Sequence, residues 1–383
     1  MALLLIVTVS GTLAMHIVIP VLPAIAENLA VSAGSTQLII TLYLVGVSFG
    51  QLIYGPLSDR FGRRPVLIAG LVIYILSMAA GALAPTLGWL LLARMGQALG
   101  GSCALVLGRA MVRDGAESAQ AAGRLAMVSI VMSLSPAIAP LIGAYISAAF
   151  GWRMIFGVLA GSTLALLLVV IAILPETNRN RISLPGVRAM LMSYAALLRH
   201  PQFLGFAIGG ATSTSFYAFL SASPFIFTNV LHRTPQEAGL IYLPTLAGFA
   251  LGSFLAMRLS RRHGGRRMTM IGNLVALSGP LLMLACYLAD AFNLWALLIP
   301  MTLFTIGTGL AGPFAQAGAV GADLRRIGAA SGLYGFMQMM VGALCTLIVG
   351  SIDGPPLLPM ILVMLVLGII GQVAFRFVAT EKD

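Results

Sequence analysis

Twelve stretches of the chain each hold enough consecutive apolar residues to cross a bilayer, near 2–24, 35–56, 65–84, 87–109, 122–147, 153–174, 202–227, 236–258, 268–289, 293–316, 329–351 and 357–378. About 20 helical residues cover the roughly 30 Å of hydrocarbon in a membrane. Lipid offers nothing to an unpaired amide or carbonyl, so such stretches have to be helices that satisfy their own backbone. The composition agrees: 59% of residues are hydrophobic, 9% are charged and the mean hydropathy is +1.00, far from the balance of a soluble globular domain. The first stretch lacks a basic leader, is longer than a signal core and is followed by eleven more, so it is read as a span.

The polar segment Gly55-Pro56-Leu57-Ser58-Asp59-Arg60-Phe61-Gly62-Arg63-Arg64 between spans two and three returns between spans eight and nine as Leu259-Ser260-Arg261-Arg262-His263-Gly264-Gly265-Arg266-Arg267. The second copy lies about half a chain length on, carries one more glycine and has Arg261 in place of Asp59. A repeat of that period means a duplicated architecture. The sequence therefore implies an all-α membrane protein of twelve helices in two pseudo-symmetric six-helix bundles, 1–174 and 202–383. The polar segment 175–201, with Glu176, Arg179, Arg181, Arg188, Arg199 and His200, is the connecting loop.

Assigning alternate loops to opposite sides places all but three of the 22 basic residues on one face; Arg153 and Arg233 lie opposite and Arg94 is inside span four. Positive charge marks the cytoplasmic side. Both termini and the central loop are thus expected in the cytoplasm, with the chain in the inner membrane as a monomer among lipids. The net charge of +11 and the pI near 10.3 come from these scattered loop arginines, which form no basic domain, so nucleic acid is not an expected partner. Cys103, Cys286 and Cys345 sit singly in apolar segments without metal-ligand spacing and are read as small packing residues.

At these residues the chain resembles the major facilitator superfamily, and within it the twelve-span drug:proton antiporters of the bicyclomycin and chloramphenicol resistance type. The segment from Gly55 to Arg64 is similar to the superfamily's signature between spans two and three. Pro20-Val21-Leu22-Pro23 looks like the group's proline pair. Leu90, Arg94, Gln97 and Gly100 look like its arginine-bearing motif, with Ala98 where glycine is usual. Pro136-Ala137-Ile138-Ala139-Pro140-Leu141-Ile142-Gly143, followed by Gly151-Trp152-Arg153, resembles the subfamily's antiporter motif.

The resemblance implies export of small, lipophilic drug-like compounds in exchange for protons by alternating access. The alternative is a proton-coupled importer, or an exporter, of a polar metabolite. It also implies a conformational gate in Gly55, Asp59, Arg60, Gly62, Arg63 and Arg64, in which Asp59 meets the start of span eleven near residues 328–331. A carboxylate is favoured by helix amides exposed at such an end. Arg109 and Arg113 are expected as further charge partners of Asp59, and Gly55 and Gly62 as sites of close packing or a tight turn. Pro136, Pro140 and Gly143 are expected to bend span five at the interface of the halves.

Ionisable groups inside the spans are scarce, and those present are functional candidates because burying them in lipid is costly. His16 in span one and Arg94 in span four lie about 8 and about 7 residues from the outer ends of their spans, which at roughly 1.5 Å per residue is one depth. They are expected to share a cavity in the first half. Relatives in the subfamily commonly carry aspartate at the position of His16. Histidine titrates near physiological pH and can serve as the proton carrier, with Arg94 orienting substrate and favouring neutral or anionic compounds over lipophilic cations. Tyr43, Gln97, Tyr217, Tyr242, Tyr334 and Gln338 are expected to line the pathway. No cofactor or metal is expected. Catalytic or metal-binding clusters, a Walker-type phosphate loop and a charged selectivity ring are all missing from the sequence, which argues against an enzyme, an ATP-driven pump and a channel.

Overall fold

A computed structural model of the chain describes residues 1–114, 118–178, 187–259, 264–323 and 325–376. Among them there is no strand, and the helices fall into two compact units, Met1–Gly186 and Val187–Asp383. The division lies inside the segment expected to be the connecting loop.

The first unit contains α1 (Ala2–His16), α2 (Leu22–Asn28), α3 (Ala33–Phe61), α4 (Arg63–Ala82), α5 (Leu87–Asp114), α6 (Ser118–Phe150) and α7 (Arg153–Ile173). Helices α1 and α2 together form span one, interrupted just after His16 by a short 3-10 turn over Ile19–Val21 that contains Pro20. The second unit opens with α8 (Val187–Leu197), a helix where a loop was expected. It continues with α9 (Pro201–Ala211), α10 (Phe216–Phe225), α11 (Pro235–Leu259), α12 (Gly265–Leu288), α13 (Leu294–Gly321), α14 (Ile327–Ser351) and α15 (Leu357–Arg376). Span seven is α9 and α10, joined through a 3-10 turn over Thr212–Ser215 and ending in a π turn over Ile226–Val230. The first span of each unit is therefore the discontinuous one.

Eleven helical segments among the described residues are long and apolar enough to cross a membrane. The fifth expected span falls on α6, 33 residues long, whose described apolar stretch is Ile138–Phe150. Leu76, Leu83, Leu92, Phe150, Ile173 and Leu288 are all at least 65% exposed, as side chains facing lipid rather than water would be. Inside the units small residues bring helices together. A side chain at Gly100 of α5 would strike the backbone of Tyr74 in α4, one at Gly307 of α13 the backbone of Ala276 in α12, and one at Gly143 of α6 the carbonyl of Ile17. All three cysteines among the described residues are free thiols, and Cys103 and Cys345 are buried.

The repeated polar segment is not the loop that its composition suggests. Helix α3 runs through Pro56 as far as Phe61, a single residue breaks it, and α4 starts at Arg63. That residue is Gly62, at φ 100° and ψ 152°, a conformation essentially closed to residues with a side chain. The polar side chains around it pair within the unit, which removes the cost that would otherwise unwind both helix ends. Of the second copy, Ser260, Arg261, Arg262 and His263 lie outside the described residues, as do Arg179, Arg181 and Lys382.

Candidate functional site

Two polar constellations lie in the first unit. One is built on Arg94, which is fully buried and held between α1, α3 and α5. Its Nη1 donates to the Ala14 carbonyl and to Gln97 Oε1, both at 3.0 Å, and its Nε to the Ile39 carbonyl at 3.4 Å. The guanidinium carbon stands 4.1 Å from the centre of the Tyr43 ring. Tyr43 is fixed by donating to the Gly11 carbonyl at 3.0 Å, and Gln97 by donating to the Ser77 carbonyl at 3.1 Å. Arg94 Nη2 is buried without a hydrogen-bond partner, and no carboxylate lies within ion-pair distance of the group among the described residues. A whole positive charge is thus held by three oxygen dipoles and one ring face.

His16 ends α1 two residues beyond the carbonyl that receives Arg94, and it is 5% exposed. Its Nδ1 lies 3.0 Å from the Thr12 carbonyl. A carbonyl only accepts, so Nδ1 carries the proton and the neutral ring keeps Nε2 as an acceptor. His16 and Arg94 lie near each other, and both are buried within the first unit. Beside them Gly143 of α6 lies against the Ile17 carbonyl. Pro136 and Pro140 are inside one uninterrupted helix, with Pro140 buried and Pro136 half-buried.

The second constellation surrounds Gly62. Arg63, 6% exposed, places Nη1 2.6 Å from Asp59 Oδ1 and 2.5 Å from Ser58 Oγ, and Nε 3.0 Å from Asp114 Oδ2. Glu176, from the segment after α7, reaches back to the start of α4. Its Oε1 accepts the Arg63 amide at 2.9 Å and its Oε2 the Arg64 amide at 3.2 Å. A carboxylate on the first free amides of a helix is stabilising for both hydrogen-bonding and dipole reasons. Asn178 completes the clamp by donating to the carbonyls of Ser58 and Asp59 at the end of α3, at 3.3 and 3.0 Å. Arg64 donates to the Ile171 carbonyl at 2.8 Å, and exposed Arg60 lies 4.9 Å from the Phe61 ring centre.

Three expectations here are corrected. Arg109 and Arg113 do not pair with Asp59: Arg109 meets Met132 Sδ at 3.4 Å, and Arg113 is 4.0 Å from Asp114. The acid that α5 supplies is Asp114, one residue further on, where the helix end turns it toward Arg63. Gly55 is a mid-helix residue with open space where a side chain would go, so it serves neither close packing nor a turn. Sequence reasoning missed Ser58, Asp114, Glu176 and Asn178. For the last three the signal was an acid or amide at or just beyond a helix end, in a chain with only 11 acidic residues.

In the second unit the expected polar residues are distributed over two places. Tyr242 of α11 is buried and meets Ser223 Oγ at 2.7 Å, between the rings of Phe219 and Phe227. Tyr334 and Gln338 of α14 bond to each other, Gln338 Nε2 donating to the Tyr334 hydroxyl at 3.3 Å. Tyr334 backs onto Gly210 of α9, and the Tyr217 ring of α10 covers Gly342 of α14.

Helices of membrane-spanning length in two units, with the charged Arg94 enclosed among the spans of the first, suit a membrane transporter. The sequence profile of the Major Facilitator Superfamily matches residues 4–346, and the chain belongs to that family of transporters rather than to an enzyme class. It is a multi-pass membrane protein for small-molecule substrates. It is 28% identical over 94% of its length, and 90% of the relative's, to the bicyclomycin resistance protein homolog of Haemophilus influenzae. It is 27% identical to the chloramphenicol resistance protein of Pseudomonas aeruginosa, over 93% of this chain and 85% of that one. The human organic anion transporter MFSD10 shares the fold, with a TM-score of 0.74 at 17% identity over 99% of this chain and 98% of that one.

Proposed function

We propose that the chain is a drug:proton antiporter of the inner membrane, monomeric, with both termini in the cytoplasm, which exports small neutral or anionic drug-like compounds by alternating access. The observation that carries this reading is the pairing of an unneutralised Arg94 with His16, whose Nε2 is an open acceptor, in a unit without a buried carboxylate among its described spans. The full-length likeness to antibiotic-resistance relatives supplies the direction of transport. Protonation of His16 adds a second positive charge beside Arg94, and loss of that proton relieves it, so that proton and substrate occupy the place in turn. Lipophilic cations are disfavoured at the same place. The clamp of Asp59, Arg63 and Asp114 serves as the cytoplasmic gate.

The test uses inside-out membrane vesicles energised to an acidic interior and loaded with a pH-reporting dye. Chloramphenicol is expected to dissipate the gradient in vesicles containing the chain, and His16→Ala to abolish the response while insertion is unchanged. A response to chloramphenicol that persists in His16→Ala removes His16 as proton carrier. Energised accumulation of a nutrient in whole cells, with no drug response, overturns the export reading.

A further inference from the structure

The interruption of span seven is made by four consecutive hydroxyl residues, Thr212, Ser213, Thr214 and Ser215, wound as a 3-10 turn between α9 and α10. Serine and threonine in a helix ordinarily return their hydroxyl to a carbonyl of the preceding turn. Three of the four do so: Thr212 to Gly209 at 2.7 Å, Ser213 to Gly210 at 2.6 Å and Thr214 to Ala211 at 2.5 Å. Thr214 is also 2.8 Å from the Gln338 carbonyl of α14, which ties the turn to that helix. Ser215 breaks the pattern. It is 1% exposed and its Oγ has no hydrogen-bond partner, although the pattern of its three neighbours would offer it the Thr212 carbonyl.

Against the same turn stand Tyr334, whose hydroxyl accepts from Gln338 Nε2 and keeps its proton to donate, and half-buried Gln338, whose Oε1 remains an acceptor. None of α9, α10 and α14 contains an Asp, Glu, His, Lys or Arg. The cluster therefore offers hydroxyl donors and acceptors and an amide oxygen with no net charge. Discontinuous helices in transporters are tolerated where their freed polar groups meet a ligand or a cavity. A short 3-10 stretch in mid-helix is also a common functional hinge.

We infer that the Thr212–Ser215 turn, with Tyr334 and Gln338, is a binding subsite for an uncharged hydrogen-bonding group of the substrate, a hydroxyl or amide, with Ser215 Oγ as its principal contact. This rests on the transporter reading and names what the second unit selects. Cationic or carboxylate groups gain nothing there, since a charge would leave water without a counter-charge.

The test measures binding to the purified full chain in nanodiscs, which needs no gradient. The probes are chloramphenicol, which bears two hydroxyls and an amide, and an analogue lacking both hydroxyls. The wild-type chain is expected to prefer chloramphenicol by roughly tenfold, in line with the net gain of a hydrogen bond in a buried site. Ser215→Ala is expected to reduce that preference to within about twofold by weakening chloramphenicol alone, and Gln338→Leu to weaken it by a similar factor. Ser215→Thr, which retains the hydroxyl, should keep most of the preference. Thr305→Val, a back-bonded threonine of α13, should leave it unchanged.

Equal weakening of both probes in Ser215→Ala, an undiminished preference, or no chloramphenicol binding by wild type of native melting temperature overturns the assignment. Failure of the antiport reading looks different: binding preference intact in nanodiscs with no proton-coupled response in vesicles.

Discussion

Arg94 shows how a single residue can be expensive to fold and still be retained. A cation on the face of an aromatic ring is stabilised by about 2 kcal/mol when water is excluded, and each added carbonyl contact by about 1 kcal/mol or more. Together these fall short of a full counter-charge in lipid. Arg94→Met is therefore expected to leave the melting temperature in detergent unchanged or higher while abolishing proton-coupled transport. Arg94→Lys should reduce transport at least tenfold, because one ammonium cannot span the carbonyls of Ala14 and Ile39 and the Gln97 amide at once. Tyr43→Phe should cost about 1 kcal/mol, the bond to Gly11, and Tyr43→Leu about 2 kcal/mol more, the loss of the ring face. That Arg94, His16, Tyr43 and Gln97 deserved attention was legible because polar groups are rare in these spans. That they interlock through the carbonyls of three helices was not, since no pattern of side-chain types reports where a backbone oxygen points.

Among the elements, the junction of α3 and α4 was only half legible. The sequence marks it by glycine and charge, which read as a loop. Its true form depends on Glu176 and Asn178, more than a hundred positions away, taking up the free amides and carbonyls of the two helix ends. Gly62→Ala should destabilise the chain by about 1–3 kcal/mol, from the backbone conformation alone, with the Glu176 carboxylate also displaced. Glu176→Gln should cost about 1 kcal/mol, as one charge-assisted pair of bonds becomes a single neutral one. Both are measured by thermal unfolding in detergent. Equal stability of Glu176→Ala and wild type would show the cap to be idle. The extra helix α8 escaped notice because its eleven residues, rich in Ala, Leu and Met, are too few to span a membrane and lie in a segment read as a polar loop.

At the scale of the whole molecule, apolar length and the half-chain repeat made the all-α, two-bundle architecture the most legible property of all. Nothing else in the sequence is repeated twelve times. What the repeat concealed is that its two copies have diverged in chemistry. The first unit encloses an unneutralised cation, while the hydroxyl turn of the second is free of charge. A chimaera carrying two copies of the first unit is accordingly expected to insert in the membrane yet transport no drug, as judged by accumulation of chloramphenicol in cells.

Glu176 and Asn178 follow α7, so the hinge at Gly62 cannot be completed until the ribosome has synthesised the whole first unit. During translation the α3–α4 pair waits in the membrane with a bare helix start and a bare helix end. Chains truncated after residue 150 and released should expose that hinge to a cytosolic protease, and chains truncated after residue 200 and released should protect it. The order of synthesis would then itself act as a checkpoint on assembly, delaying closure of the junction until its last partner has emerged.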